Sequence, residues 1–276
     1  LTGCGGTGFR EVEVSIDGQP AGFAPVSPWI YTGGIDPYMW RPVTGVQTLD
    51  FHPFRVDLSP FAALLDDGQP HTVAVSAVTG DPDFSNTSQY FATAATLLLY
   101  LDPGSTQVTG GFIGTPRDSG VKPVSTLTTS GDGTEYTLNV TSNHNFNARG
   151  YVNTSGGRVT NAVAESASFG NRDLLTNNES LFEQNINLTS NAVSTSTRID
   201  HGGTSNRTEN WSFPLKLDYK FISNPDGSFT QATTVDQRHY NHHNASPAGG
   251  PRYSDSLNYG DQAADTLQFD SGFNVT

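Results

Sequence analysis

Apolar and polar residues alternate with a period of two through much of the chain, the pattern of strands with one covered face. Arg10–Asp17 puts Val12, Val14 and Ile16 on one face and Glu11, Glu13 and Ser15 on the other, so its carboxylates are expected to be solvated. Asp17-Gly18 then supplies a tight turn. His71–Val78 alternates again, and Thr93–Leu101 is apolar on both faces, as a central strand covered on each side would be. A short helix is expected from Ser59 as N-cap and Pro60 in the first helical position, with Asp66-Asp67-Gly68 as its stop. After the break Asp102-Pro103-Gly104-Ser105, strand patterns recur at Glu135–Thr141, Arg158–Ala164, Phe182–Leu188, Val193–Ile199, Trp211–Ile222 and Ser228–Asp236. Asn224-Pro225-Asp226-Gly227 makes a turn between the last two. Short alternating strands with Gly, Pro and Asn turns predict an all-β chain of antiparallel sandwiches. The expected division is a first sandwich at 1–104 and a further β-rich, sandwich-like region at 105–276.

Charge narrows the function classes. Fourteen Lys and Arg against 27 Asp and Glu give a net −13, while only 15% of residues are charged, so the acidity reflects a shortage of bases. The lysines are Lys122, Lys216 and Lys220, and no basic cluster exists to displace counterions from a phosphate backbone, which excludes nucleic acid as a partner. The longest apolar run, Ala94–Leu101, is far short of the roughly 20 residues of a membrane span. The chain does not begin with Met and reads as a mature or processed fragment. Nine Asn-X-Ser/Thr triplets, at Asn86, Asn139, Asn153, Asn178, Asn187, Asn206, Asn210, Asn244 and Asn274, point to a glycosylated surface and a secreted, extracellular protein. In an oxidising compartment the single Cys4 is either a buried thiol or half of a bond to another chain.

The densest candidate chemistry lies in the loop from Pro28 to Pro42, which holds Trp29, Tyr31, Asp36, Trp40 and Arg41 around Gly33-Gly34. Aromatic faces beside a carboxylate and a guanidinium suit a sugar, whose C–H faces stack while its hydroxyls take charge-assisted hydrogen bonds. The competing expectation is that these aromatics plug the open end of a sandwich. His239-Tyr240-Asn241-His242-His243 offers three imidazoles, but its setting reads as a solvated polar loop, and no metal is expected. No Gly-x-Ser-x-Gly elbow or phosphate loop is present.

The stretches GFREVEVSIDGQPAGF, WIYTGGIDPYMWRPVTG and LDFHPFRVDLSPFAALLDDGQPHTVAVS resemble, in order and spacing, the acidic peptide N-glycanase family of plants and fungi. These amidases release intact N-glycans by hydrolysing the Asn side-chain amide, leaving Asp, and they use no cofactor. The resemblance implies that 1–104 is the second of two jelly-roll sandwiches with the active site in the cleft between them. It further implies that the first sandwich, with the main catalytic Asp, lies on an N-terminal chain of the same precursor. That chain would form a heterodimer with this one, with Cys4 as its interchain disulfide. The substrate would be an N-glycopeptide or glycoprotein. Arg41 would stabilise the oxyanion. A glutamate of related enzymes falls where this chain reads Gly5-Gly6-Thr7-Gly8, leaving Glu11, then Glu13 or Asp36, as the nearest carboxylate. Trp29, Tyr31, Asp36 and Trp40 would hold the sugar. Two alternatives remain: a non-catalytic carbohydrate-binding β-sandwich module, and a glycoprotein whose C-terminal half is structural.

Overall fold

A computed structural model describes residues 7–26, 36–39, 52–80, 93–176, 180–198 and 203–276. Strand β1 (Arg10–Ile16) is the middle of a three-stranded antiparallel sheet, flanked by β2 (Gln19–Pro25) and β3 (Val73–Thr79). Asp17 and Gly18 both take positive φ, 51° and 78°, the backbone that a two-residue hairpin turn demands. Between β2 and β3 a 3-10 turn, Ser59–Phe61, runs into the four-residue helix α1, Ala62–Leu65. Ser59 does not cap it as expected; the Asp57 carboxylate reaches forward and accepts the Ser59 N–H at 2.9 Å.

A second, nine-stranded antiparallel sheet follows. Its short first strands β4 (Thr109–Phe112), β5 (Arg117–Asp118) and β6 (Val124–Thr129) pair in series with one edge of β7. Then β7 (Glu135–Thr154), β8 (Gly157–Thr176), β9 (Leu181–Arg198), β10 (Gly203–Ser223), β11 (Phe229–Ser246) and β12 (Tyr253–Phe269) form an up-and-down meander. The chain is all-β and antiparallel, as the alternation implies, and among the described residues no helix is long and apolar enough to cross a membrane.

Two expectations about strands differ from what is observed. Phe182–Leu188 and Val193–Ile199 merge into the single strand β9, because Thr189-Ser190-Asn191 between them are paired to both neighbouring strands. Among the described residues Thr93–Leu101 joins no sheet and faces solvent, with Tyr100 92% and Leu101 86% exposed. Apolarity on both faces shows what a strand wants to be covered by, and nothing described covers this one.

Burial follows the pleat. Positions 140 to 152 of β7 alternate buried and outward, as do positions 161 to 173 of β8, so one face of the large sheet packs on the rest of the molecule. Phe9 and Met39 join Phe169, Trp211, Phe213 and Leu217 in one apolar cluster. Ile16, Phe23 and Phe61 join Phe146, Ala148 and Ala167 in the other. Sheet membership therefore changes between residues 80 and 109, yet residues from both sides share both clusters. The 3-10 turn presses directly on β7: a Cβ at Gly150 would lie 2.0 Å from the Pro60 carbonyl oxygen, so only glycine fits there.

Candidate active site

The acidic face of β1 is not fully solvated: Glu11 is buried and Glu13 half-buried. It turns towards β7, where Glu11 is 3% exposed and pairs through Oε1 with Nδ1 of His144 at 2.6 Å. The other imidazole nitrogen, Nε2, meets Asp118 Oδ1 of β5 at 2.5 Å. Phe23 of β2 stacks on the ring at 4.0 Å between centroids and 17° between planes. The imidazole is thereby held between two carboxylates and one aromatic face. Burial opposes charge on His144, but the hydrogen bonds and attraction of Glu11 and Asp118 outweigh it and hold its pKa at about 9. Burial raises the pKa of Glu11 against the lowering effect of His144.

Glu165, on the inward parity of β8, is the second buried acid. Its Oε2 accepts the Phe23 N–H at 2.9 Å, and burial pushes its pKa up to about 8. Gly22 makes this approach possible. It has φ +141°, and a Cβ there would lie 2.9 Å from Glu165 Oε2 and 2.5 Å from Val56 Cγ1.

Beside the imidazole is a small cavity of about 50 Å³, bordered by Glu13, Ser15, Phe23, Ser76, Asp118 and His144. It has room for a water molecule or two among polar groups. Glu13 is half-buried, and its pKa is raised by burial first and then by repulsion from Glu11. An acid with elevated proton affinity beside a fixed imidazolium is an arrangement that can take and return a proton. Glu11, Glu13 and His144 also offer three ligand atoms within 4.8 Å of one another. Both nitrogens of His144 already face carboxylates, which satisfies the ring without an ion.

The residues expected from sequence fare unevenly. Glu11 is in the cluster, but it is enclosed and acts on His144 rather than on the cavity, so Glu13 and Asp118 are the acids that border it, and Asp118 is already engaged with His144. Asp36, expected to bind sugar, is instead wholly buried; it accepts a hydrogen bond from Thr233 Oγ1 at 3.0 Å and another from the Met39 N–H at 3.4 Å. It ties residues 36–39 to β11. The segment after the loop is pinned by Phe54, whose ring lies 4.5 Å from that of Trp211. Arg41, Trp29, Tyr31 and Trp40 lie outside the described residues, as do Cys4, Asn86 and Asn178. Among the other triplets, Asn139, Asn153, Asn187, Asn206 and Asn274 are exposed, whereas Asn210 and Asn244 are half-buried.

The His239–His243 run is strand, not a solvated loop. It belongs to β11, with His239 wholly buried between Trp211 and Phe213 and His242 exposed. Burial drives the pKa of His239 down to about 4. His144, Asp118 and Glu165 were not anticipated. A signal for two of them was present: Ser142-x-His144-x-Phe146 and Val163-x-Glu165-x-Ala167 set an ionisable group on the inward parity of a strand.

The comparisons with known proteins agree with the motifs. Residues 2–117 match the family model of peptide N-acetyl-beta-D-glucosaminyl asparaginase amidase A. The resemblance to acidic peptide N-glycanases is shown. Over 247 residues, 86% of this chain, the sequence is 28% identical to peptide-N4-(N-acetyl-beta-glucosaminyl)asparagine amidase A of Prunus dulcis. The chain spans 40% of that relative's length. No solved structure matches. The Glu11–His144–Asp118 cluster therefore straddles the end of the matched segment: Glu11 lies within it, Asp118 just past it, and His144 well beyond.

Proposed function

We propose that this chain is one part of a secreted peptide N-glycanase, an amidase that hydrolyses the bond between an N-glycan and asparagine. The observation that carries the reading is the family match over residues 2–117, which contains both the aromatic loop and the β1 acids. Water would attack the amide carbonyl carbon, the nitrogen would leave with the sugar as a glycosylamine, and the peptide would keep Asp. Amides are poor electrophiles, so a carboxyl group that handles the water proton and a donor for the oxyanion are both needed. Glu13 suits the first role, since it borders the cavity with a raised pKa. Glu11, His144 and Asp118 set its electrostatic surroundings. Arg41 is proposed as the oxyanion donor, and Trp29, Tyr31 and Trp40 as the sugar grip.

A principal acid on a second chain, from the N-terminal part of the same precursor, completes this reading, with Cys4 as the tether. The chain's 40% coverage of its relative leaves length for such a partner. Glycan attachment is proposed at the exposed Asn153, Asn206 and Asn274. The test is to incubate the assembled protein with a defined N-glycopeptide and weigh the products. Conversion of Asn to Asp with release of the whole glycan is expected. A peptide that keeps its glycan, or keeps a single sugar on Asn, rules the reading out. If the chain purifies alone, binds chitobiose and leaves the glycopeptide uncut, it is a carbohydrate-binding module.

A further inference from the structure

The face of the large sheet turned away from the small one carries a groove of about 510 Å³, on the opposite side of the sheet from the acid cluster. The strand register explains its shape. Asn139, Arg172, Asn185, Lys216 and Asp236 are direct cross-strand neighbours from β7 to β11, forming one row of long polar side chains. The adjacent row, two residues along each strand, reads Thr141, Gly170, Asn187 and Pro214. Gly170 contributes no side chain, and an added Cβ there would meet nothing within 4 Å. Pro214 has no N–H, and the β10–β11 ladder stops at Ser212–Tyr240 and resumes at Leu215–Gln237 in unchanged register. A low row beside a tall row makes a trough that runs across the strands from β7 to β10, about 14 Å over three strand spacings, and Arg238 closes it at β11.

Its charge is opposite to that of the molecule. The chain carries −13 overall, yet among the lining residues Arg172, Lys216 and Arg238 stand against Asp236 alone, with Asp218 beyond the rim in a loose, exposed pair with Lys216 at 4.0 Å. Asp236 binds Arg238 through two contacts, at 2.9 and 3.3 Å, which fixes that guanidinium. Arg172 and Lys216 are exposed. Amide and hydroxyl groups of Asn139, Thr141, Asn185 and Asn187 offer donors and acceptors alternately, as a run of sugar hydroxyls requires. The floor at Gly170 and Pro214 raises no long side chain, which leaves room for the C–H face of a ring.

We propose that this trough binds an acidic oligosaccharide, a short run of sugars bearing carboxylates, with Arg172 and Lys216 as the carboxylate contacts. The site is independent of the amidase reading, because it shares no residue with the Glu11–His144–Asp118 cluster or the aromatic loop. Asn187 in the trough and Asn139 on its rim are thus binding residues and carry no glycan.

The test is titration of the intact protein with trigalacturonate and with its methyl ester, which differ only in charge. The acid is expected to bind at least about 10-fold more tightly, the advantage shrinking as salt rises, because charge-assisted bonds supply it. Arg172→Ala and Lys216→Ala should each weaken the acid about 10-fold and leave the ester unaffected. A parallel pair, 3′-sialyllactose and lactose, separates linear uronates from terminal acids on branched glycans; preference for either acid supports the site. Equal binding of acid and neutral forms, no binding of either acid, or unchanged affinity in both variants overturns it. Peptide mapping across β9 supplies a further check, since a sugar found on Asn187 would occupy the trough and overturns the proposal too. Circular dichroism and glycopeptide cleavage should be unaltered in both variants, which keeps failure here distinct from failure of the amidase reading.

Discussion

Two faces of this molecule look alike in sequence and have opposite fates. The odd-numbered face of β1 (Glu11, Glu13) and the outward face of β7 to β11 are both polar. The first is turned inward on His144 and becomes a buried ionic cluster, whereas the second stays in water and carries the trough. Alternation determines which residues share a face. It does not say whether that face has a neighbour. β1 is central in a sheet of only three strands that lies against a far larger one, so both of its faces have company. The larger sheet has a packing partner on one side, and its other side is open to solvent.

The comparison can be broken most forcefully at His144. Its replacement by Ala leaves Glu11 buried without a partner and removes the Phe23 stack, and such losses cost about 3–5 kcal/mol. Denaturant unfolding should show it; a loss below about 1 kcal/mol would mean the cluster is not enclosed. Glu13→Gln is expected to lower glycopeptide turnover about 10²-fold or more in the assembled enzyme, with the melting temperature nearly unchanged. A similar loss of stability would make Glu13 structural, and unchanged turnover would remove it from the mechanism. Gly22→Ala should destabilise by about 2 kcal/mol, because the new methyl meets Val56 and Glu165 at a positive φ.

The pH dependence is the most diagnostic. His144 has a folded pKa of about 9 against an ordinary value of 6.5, so its contribution is complete below 6.5 and is lost as pH rises through 9. Glu165 holds its proton up to about 8 against an ordinary 4.5, so the folded state is penalised as pH rises above 4.5. Both act in one direction: calorimetric stability should fall between about pH 5 and pH 9. Glu165→Gln mimics the protonated acid and should flatten the lower part of that slope, leaving the His144 part above 6.5. A stability profile that rises across this range would contradict both burial assignments. The same scan on Arg172→Ala should match the wild type, since that side chain is exposed on the open face.

How much of this was legible follows from what each signal depends on. The all-β class and the Asp17-Gly18 turn are local properties of alternation and backbone preference, and they appear as expected. Sheet membership changes between residues 80 and 109, while both apolar clusters draw on residues from either side. The family motifs mark where the acids and the aromatic loop are. Asp36 could be identified as a special residue, but its burial against Thr233 spans 197 positions and has no local signature. Glu11 and His144 are 133 positions apart, and Asp118 reaches the ring from a two-residue strand that no periodicity announces.

The sequence by itself therefore determined the all-β class and, along each strand it revealed, which residues share a face, because a pleat is set by neighbours two residues apart. Only the tertiary structure decided which faces meet. It brought Glu11, His144 and Asp118 together, enclosed Asp36 and Glu165, and aligned Arg172 with Lys216 across the register of the large sheet. The physical reason is that desolvation and register are long-range: a carboxylate is ordinary or raised in pKa according to what packs on it, not what adjoins it in the chain.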